Sequence, residues 1–177
     1  MIKIPIKLIE ENLNVIIKKN CNSIGVDTAS RTGICLARST EKNIVLDYTF
    51  LEIKSQNKYH KYNTLIDYMN IFFKDCTNID VVVVEETFFS KNAKVFQFLS
   101  RIGGMVYTVA HLFNIKEKLF VSAVESRKKL GLPCNKKKEV VHAAFHSLIP
   151  NIKITDIDII DAIILALNGL SEPRGLI

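Results

Sequence analysis

The chain has 177 residues, a formal net charge of +6 and a sequence pI near 9.1. Its length predicts a single domain, and its hydrophobic content of 48% excludes a disordered protein. The positive charge favours an anionic partner, and nucleic acid ranks ahead of a membrane because no basic amphipathic helix with an aromatic face is present.

The cysteine pattern and the hydropathy of the chain indicate in which cellular compartment the protein is expected. The four cysteines are scattered without a Cys-x-x-Cys pair, which argues against zinc and disulfide frameworks and predicts free thiols in a reducing compartment. No apolar run reaches the roughly 18 residues that a membrane span needs. The start of the chain also lacks the apolar core and cleavage site of a signal peptide. We therefore expect a soluble intracellular protein that is not secreted.

Residues 1–22 are predicted to form an N-terminal appendage. Apolar residues at helical spacing predict a short amphipathic helix packed on the domain. The stripe consists of Ile6, Ile9, Leu13, Ile16 and Ile17. A mitochondrial presequence is the alternative, but Glu10, Glu11 and the absence of arginine and serine argue against it.

The next segment has the pattern of an antiparallel meander. Three short β-type runs lie at 23–28, 33–37 and 44–53, and polar turns separate them. Such short links join antiparallel strands. A helical stripe over 58–74 then returns the chain across the sheet.

A buried parallel strand is predicted at 80–86, where four consecutive valines precede Glu85 and Glu86. Because neighbouring strand residues point to opposite faces, only one of these glutamates can face the same side as Asp27 on the first strand.

The remaining pattern predicts a long helix, a short strand, two helical pieces and a final helix. Their ranges are 92–114, 119–122, 125–130, 136–148 and 158–170, and residues 171–177 form a short C-terminal tail. We therefore predict an α/β domain over 23–170. Its mixed five-stranded sheet has three antiparallel strands followed by parallel strands, with helices on both faces.

Carboxylates distant in sequence can meet at one edge of this sheet. Asp27 ends the first strand, Glu85 ends the fourth, and Asp158 and Asp161 share one face of the last helix. Four like charges repel unless divalent metal neutralises them, and hard oxygen ligands suit Mg²⁺ or Mn²⁺. Taken singly, Asp27 could be a turn residue, Glu85 a solvated strand end and Asp158 a helix cap.

Three motifs in order carry a family resemblance. They are the stretch Ile24-Gly-Val-Asp-Thr-Ala-Ser-Arg-Thr-Gly33, the segment Glu85-Glu-Thr-Phe-Phe-Ser-Lys-Asn-Ala93 and the run Asp158-Ile-Ile-Asp-Ala162. They resemble the Gly-Ile-Asp-Pro-Gly-Ser-Arg, Glu-Gln-x-Phe-x-x-Lys-Asn and Asp-x-x-Asp-Ala signatures of the RuvC-type Holliday-junction resolvases, within the ribonuclease H-like nuclease superfamily. Thr28-Ala29 departs from the family's Pro-Gly, so the turn after Asp27 is less permissive.

The resemblance implies a ribonuclease H-like fold and a structure-selective endonuclease that resolves four-way junctions in branched DNA by paired phosphodiester hydrolysis. It implies Asp27, Glu85, Asp158 and Asp161 as catalytic residues and metal ligands, with two Mg²⁺ ions per site and Mn²⁺ able to substitute. It also implies a homodimer through the helix over 92–114. Whether a branch-migration helicase presents the junction is left open.

The resemblance further implies a DNA-binding set. Its members are Phe88, Lys91, Asn92, Arg127, Lys128, Lys137 and Lys138. Phe88 would stack on bases near the crossover, although packing in the core is an equal alternative. The basic residues would bind phosphates, although about half of such lysines are only solvated charges.

Other interpretations stay in view. Asp156 is expected to be a helix cap or loop residue rather than a ligand. His142 and His146 have a spacing able to bind zinc, but no third ligand is evident. An RNA-processing nuclease of the same superfamily and a catalytically inactive nucleic-acid-binding module remain the alternative functions.

Overall fold

The computed structural model describes residues 1–29, 31–55, 57–88 and 92–173. The strands are β1 (Ile2–Pro5), β2 (Val15–Ile17), β3 (Asn22–Asp27), β4 (Arg31–Ser39), β5 (Asn43–Glu52), β6 (Val81–Glu85), β7 (Glu117–Val121) and β8 (Ser171–Pro173). The helices are α1 (Ile6–Leu13), α2 (Lys58–Asp75), α3 (Ala93–Leu112), α4 (Ala123–Lys129), α5 (Lys138–Leu148) and α6 (Ile157–Leu170). Within these ranges, no helix has the length and apolar character needed to cross a bilayer.

The main sheet has the order β1-β5-β4-β3-β6-β7. β3, β6 and β7 run parallel, whereas β1, β5, β4 and β3 are antiparallel neighbours. The predicted mixed sheet with helices on both faces is therefore confirmed. It has six strands rather than five because β1 pairs with β5 over Asn43–Leu46.

Two apolar cores lie on opposite faces of this sheet. Val82 and Val84 pack toward α2 and α3, whereas Val81 and Val83 pack toward α6. This alternation explains the run of four valines, since a central strand covered on both faces needs an apolar residue at every position.

Helix α6 lies directly on the backbone of β3 and β4. A Cβ atom at Gly25 would be 2.2 Å from the carbonyl oxygen of Ala162, and one at Gly33 would be 2.2 Å from that of Asp158. Glycine at both positions therefore allows an approach that a side chain would prevent.

The N-terminal segment differs from the prediction of a single amphipathic helix. Only Ile6–Leu13 is helical, and it is flanked by β1 and β2. β2 pairs with β8, so three residues of the predicted C-terminal tail form a strand. Ile16, predicted on the buried stripe, is 49% exposed because it lies in β2, where alternate residues face solvent.

We predict that Ile9→Ala destabilises the protein by about 2–5 kcal/mol, because Ile9 is fully buried and truncation leaves a cavity in the core. Chemical denaturation measures the change. Ile16→Ala is the matched control and should alter the free energy of unfolding by less than about 0.5 kcal/mol. If Ile9→Ala lowered the free energy of unfolding as little as Ile16→Ala, the segment would not contribute to the core.

We predict that Gly25→Ala destabilises the protein by about 3 kcal/mol, since the added methyl group collides with the backbone of α6. The control is Ser23→Ala on the same face of β3. The Ser23 hydroxyl is buried and has no hydrogen-bond partner within the described ranges, so its removal should cost less than about 1 kcal/mol or be stabilising. Thermal unfolding of both variants measures the difference in stability. An unchanged melting temperature for Gly25→Ala would contradict the close helix contact.

Candidate active site

Asp27 and Glu85 lie side by side at one edge of the sheet. Val26 of β3 is paired with Val84 of the parallel strand β6, so the next residue on each strand occupies equivalent positions. Both carboxylates follow the alternation that faces α6. Glu86 lies beyond the strand and is exposed. The choice of Glu85 over Glu86 as the neighbour of Asp27 therefore agrees with the strand geometry.

Asp27 is the most enclosed carboxylate of the group, with 2% of its surface exposed. Its Oδ2 atom is buried, has no hydrogen-bond partner among the described residues and lies 4.0 Å from Lys138 Nζ. Burial first, and then a hydrogen bond and charge repulsion with Glu85, raise the pKa of Asp27 to about 10. An orphaned carboxyl oxygen in such a place calls for a cation.

Asp161 is buried among three cationic or proton-donating groups. Its Oδ2 lies 2.5 Å from Lys138 Nζ, and its Oδ1 lies 3.1 Å from His142 Nε2 and 3.9 Å from the guanidinium of Arg127. Burial alone would raise the pKa of Asp161, but His142 and Lys138 outweigh it and hold that pKa below its ordinary value. The ionised carboxylate can only accept, so His142 Nε2 donates.

Lys138 joins these groups. Burial would lower its pKa, yet Asp161 and Asp27 together raise it, so the ammonium stays charged. It contacts carboxylates that come from β3 and α6, while Lys138 itself begins α5. The lysine is thus the counter-charge that the structure places among the acidic side chains.

Asp158 is less buried and faces a different cation. Its Oδ2 lies 3.7 Å from Arg31 Nη1, which lies 2.5 Å from Asp156 Oδ2. The guanidinium carbon of Arg31 also lies 3.5 Å from the centre of the Phe50 ring. Asp156 accepts from the backbone N–H of Ile159, so it caps α6 as expected. Burial, followed by the charge of Asp156, raises the pKa of Asp158 against the opposing effects of Lys138 and Arg31.

The predicted DNA-binding residues separate into exposed and buried groups. Phe88 is 62% exposed, which excludes the alternative of core packing. Lys128 and Lys137 are exposed, whereas Arg127 is buried against Asp161. Asn92 caps α3 by accepting from the backbone N–H groups of two residues in its first turn. Lys91 lies outside the described residues.

Two residues at this edge were not predicted as site residues. Arg31 was seen only as part of a motif, although its position four residues after Asp27 could have suggested a neighbour of the carboxylates. His142 was considered only as a zinc ligand, and its ring instead binds Asp161. His146 contacts the carbonyl oxygen of Ile152, so the two histidines do not converge.

The donor chemistry of the edge suits a hard divalent cation. Asp27, Glu85, Asp158 and Asp161 offer carboxylate oxygens, and one buried oxygen of Asp27 has no partner in the described part of the chain. In the part of the chain that the structure describes, no three such side chains converge closely enough to form a metal site. The ammonium of Lys138 lies 4.0 Å from Asp27 Oδ2 and 2.5 Å from Asp161 Oδ2, so one cation of the protein contacts both carboxylates.

Comparisons with solved structures show the fold. RuvC of Thermus thermophilus in complex with a Holliday junction substrate is 14% identical, with a TM-score of 0.69 over 86% of this chain and 99% of that chain. Another structure of Thermus thermophilus RuvC is 15% identical, with a TM-score of 0.68 over the same shares of the two chains. The yeast mitochondrial Holliday junction resolvase Ydc2 is 12% identical, with a TM-score of 0.58 over 93% of this chain and 83% of that one.

The sequence comparison shows the family. No curated protein sequence matches the chain. The family model described as crossover junction endodeoxyribonuclease RuvC matches residues 23–168, which begin in β3 and end in α6. This span contains all four carboxylates of the edge. The chain therefore belongs to the RuvC family of crossover junction endodeoxyribonucleases.

Proposed function

We propose that this chain resolves Holliday junctions and related branched DNA through the carboxylates at the sheet edge, in recombination, repair or replication. The observation that carries the proposal is the meeting of Asp27 and Asp161 at Lys138, with Glu85 beside Asp27. Buried acidic groups with strongly shifted pKa values in one place are typical of catalytic sites. Because the substrate is DNA, we place the protein in the cytoplasm or another intracellular compartment that contains DNA.

Asp27, Glu85, Asp158 and Asp161 would hold Mg²⁺, or Mn²⁺ in its place, and four carboxylates are enough for two ions. When bound, such ions supply Lewis-acid activation of water and neutralise charge on the phosphate.

The basic groups around Asp161 have a separate role in this proposal. His142 and Arg127 fix the orientation of the Asp161 carboxylate from the side of α5 and α4. The side chain of Lys138 is 43% exposed, so its ammonium can also reach a phosphate oxygen that approaches the edge. It would then balance negative charge on the substrate without a change in backbone position.

DNA contacts beyond the carboxylates are proposed for the exposed residues near them. Phe88 follows Glu85 by three residues and presents its ring to solvent, where an unpaired base can stack. Lys128 and Lys137 are exposed and would bind phosphates, and the roles of Lys91 and Asn92 in DNA binding stay predictions.

A homodimer through α3 is proposed as the form that makes paired nicks. The exposed large apolar residues of α3 are Val95, Tyr107 and Leu112, and Gly104, one turn before Tyr107, has open space around its Cβ position. Tyr107 stacks on Phe120 of β7 at 5.4 Å and extends the apolar surface. A symmetric dimer would present two sites to one junction.

We predict that Asp27→Asn and Glu85→Gln each reduce junction nicking by about 100-fold or more, since changes that only touch the partners of metal ligands already cost 10–100-fold. Junction binding should persist in Ca²⁺ or EDTA. Mapped nicking of a synthetic four-way junction, a linear duplex and an RNA–DNA hybrid measures the effect and the substrate class.

Glu86→Gln is the matched control, because Glu86 is exposed beyond the end of β6 and should keep wild-type nicking. Normal cleavage by Asp27→Asn would refute the assignment. Cleavage of the hybrid alone would favour the RNA-processing alternative, and binding without any cleavage by the wild type would favour the inactive module.

We predict that Gly104→Arg converts a dimer to a monomer without lowering the melting temperature, because the long charged side chain enters open space on α3. Sedimentation velocity at micromolar concentrations measures the mass. Ile71→Arg on the exposed face of α2 is the control and should stay dimeric. A monomeric wild type, or a dimeric Gly104→Arg variant, would contradict this interface.

A further inference from the structure

A second charged surface lies on the opposite face of the sheet from α6. It consists of Lys58, Tyr59 and Lys61 on α2 with Lys94 and Phe98 on α3, and we name it the α2/α3 basic surface. β5 and β6 both end at the catalytic edge, so the helices that follow them both begin there. The N-terminal turns of α2 and α3 are therefore neighbours beside the site.

Carboxylates of the described residues do not pair with the lysines of this surface. Lys58, Lys61 and Lys94 form no ion pair with a carboxylate among the described residues. The first turns of α2 and α3 contain no acidic residue, whereas those of α4, α5 and α6 each contain one. The partial positive charges of two helix N-termini thus add to the lysines.

Aromatic rings hold the surface in place. Tyr62 is 6% exposed and stacks on Phe98 at 5.6 Å, and Tyr59 packs its ring against Tyr62 at 6.4 Å. Lys61 Nζ lies 5.7 Å from the centre of the Phe98 ring, and Lys58 Nζ lies 5.4 Å from that of Tyr59. Tyr59 itself is 66% exposed, so a supported ring faces solvent between two lysines.

One buried group in this cluster has no partner in the protein. The hydroxyl of Tyr62 is buried without a hydrogen bond within the described residues. Buried hydroxyl groups are generally satisfied, so this one has a partner outside the described residues, such as a bound water.

The surface is close to the catalytic edge. Lys61 and Phe98 line the same small cavity as Thr32, which precedes Gly33 on β4, and Gly33 is paired with Asp27. Phe88 lies between β6 and α3. The α2/α3 basic surface therefore lies beside the edge that carries Asp27.

We propose that the α2/α3 basic surface binds the sugar-phosphate backbone of a duplex arm of the junction. The inference rests on the proposed function and adds a second contact region on the other face of the sheet. The lysines neutralise phosphates, and Tyr59 packs against the sugar-phosphate chain. Such contacts add affinity and orient the arm without reading base sequence.

The charges are tested in the Asp27→Asn protein, in EDTA, with a fluorescent four-way junction and a linear duplex. The double variant Lys58→Gln with Lys61→Gln should lower the slope of log affinity against log salt by about 2, because each lost phosphate contact contributes about 0.9. Its Kd should rise at least several-fold at moderate salt. Fluorescence anisotropy over a salt series measures both quantities.

The matched control removes the same two charges elsewhere. Lys42 lies in the turn before β5, and Lys74 lies in the last turn of α2, at the far end of that helix. Lys42→Gln with Lys74→Gln should leave Kd and slope close to those of the parent. Equal slopes for the two double variants would overturn the proposal.

The ring gives a second, charge-free measurement. Tyr59→Ala should raise Kd while the salt slope stays unchanged, since no charge is lost. If the lysine double variant lowers the salt slope but the wild-type protein does not nick junctions, the surface is supported and the proposed function is refuted. Nicking by the wild type with no effect of any of these variants would refute the surface alone. A parent protein that binds neither DNA would refute both.

Discussion

The direct contact of α6 with the backbone of β3 and β4 determines the rest of the structure. Gly25 and Gly33 lack the side chains that would hold the helix off the sheet, so carbonyl groups of α6 lie where Cβ atoms would otherwise be. This closeness brings Asp161 to the same ammonium group as Asp27. A helix held farther away would leave two unrelated acidic residues, one on a strand and one on a helix.

The close contact brings buried carboxylates together. The surrounding cations offset the cost of keeping one of them charged. Buried carboxylates at short range would take up protons, as Asp27 does when burial and Glu85 raise its pKa. Asp161 stays ionised because Lys138 and His142 offset the cost of its burial. The same edge therefore contains one carboxyl group that favours its proton and one that does not. That asymmetry follows from which side chains α5 delivers.

The two faces of the sheet contribute different groups to the edge that carries Asp27 and Glu85. On one face α6 supplies Asp158 and Asp161, and α4 and α5 supply the groups that hold them. On the other face, α2 and α3 begin without an acidic residue in their first turns. Both arrangements depend on strand direction, because β5 and β6 end where β3 ends. The N-terminal segment adds β1 to the sheet as the edge strand next to β5.

Valine runs, helical spacing and three ordered motifs are local signals, so the sequence predicts strands β3 to β7, helices α2 to α6 and the four candidate carboxylates. Side-chain alternation shows that only one of Glu85 and Glu86 can face Asp27, and the family resemblance of the segment that follows them indicates Glu85. Three features appear only when the chain is folded: the sixth strand at residues 2–5, the positions of His142 and Arg31 at the edge, and the contact of Lys138 with two carboxylates. These features depend on pairing between segments distant in sequence, and no local pattern encodes which partner an edge strand or a charged side chain will meet.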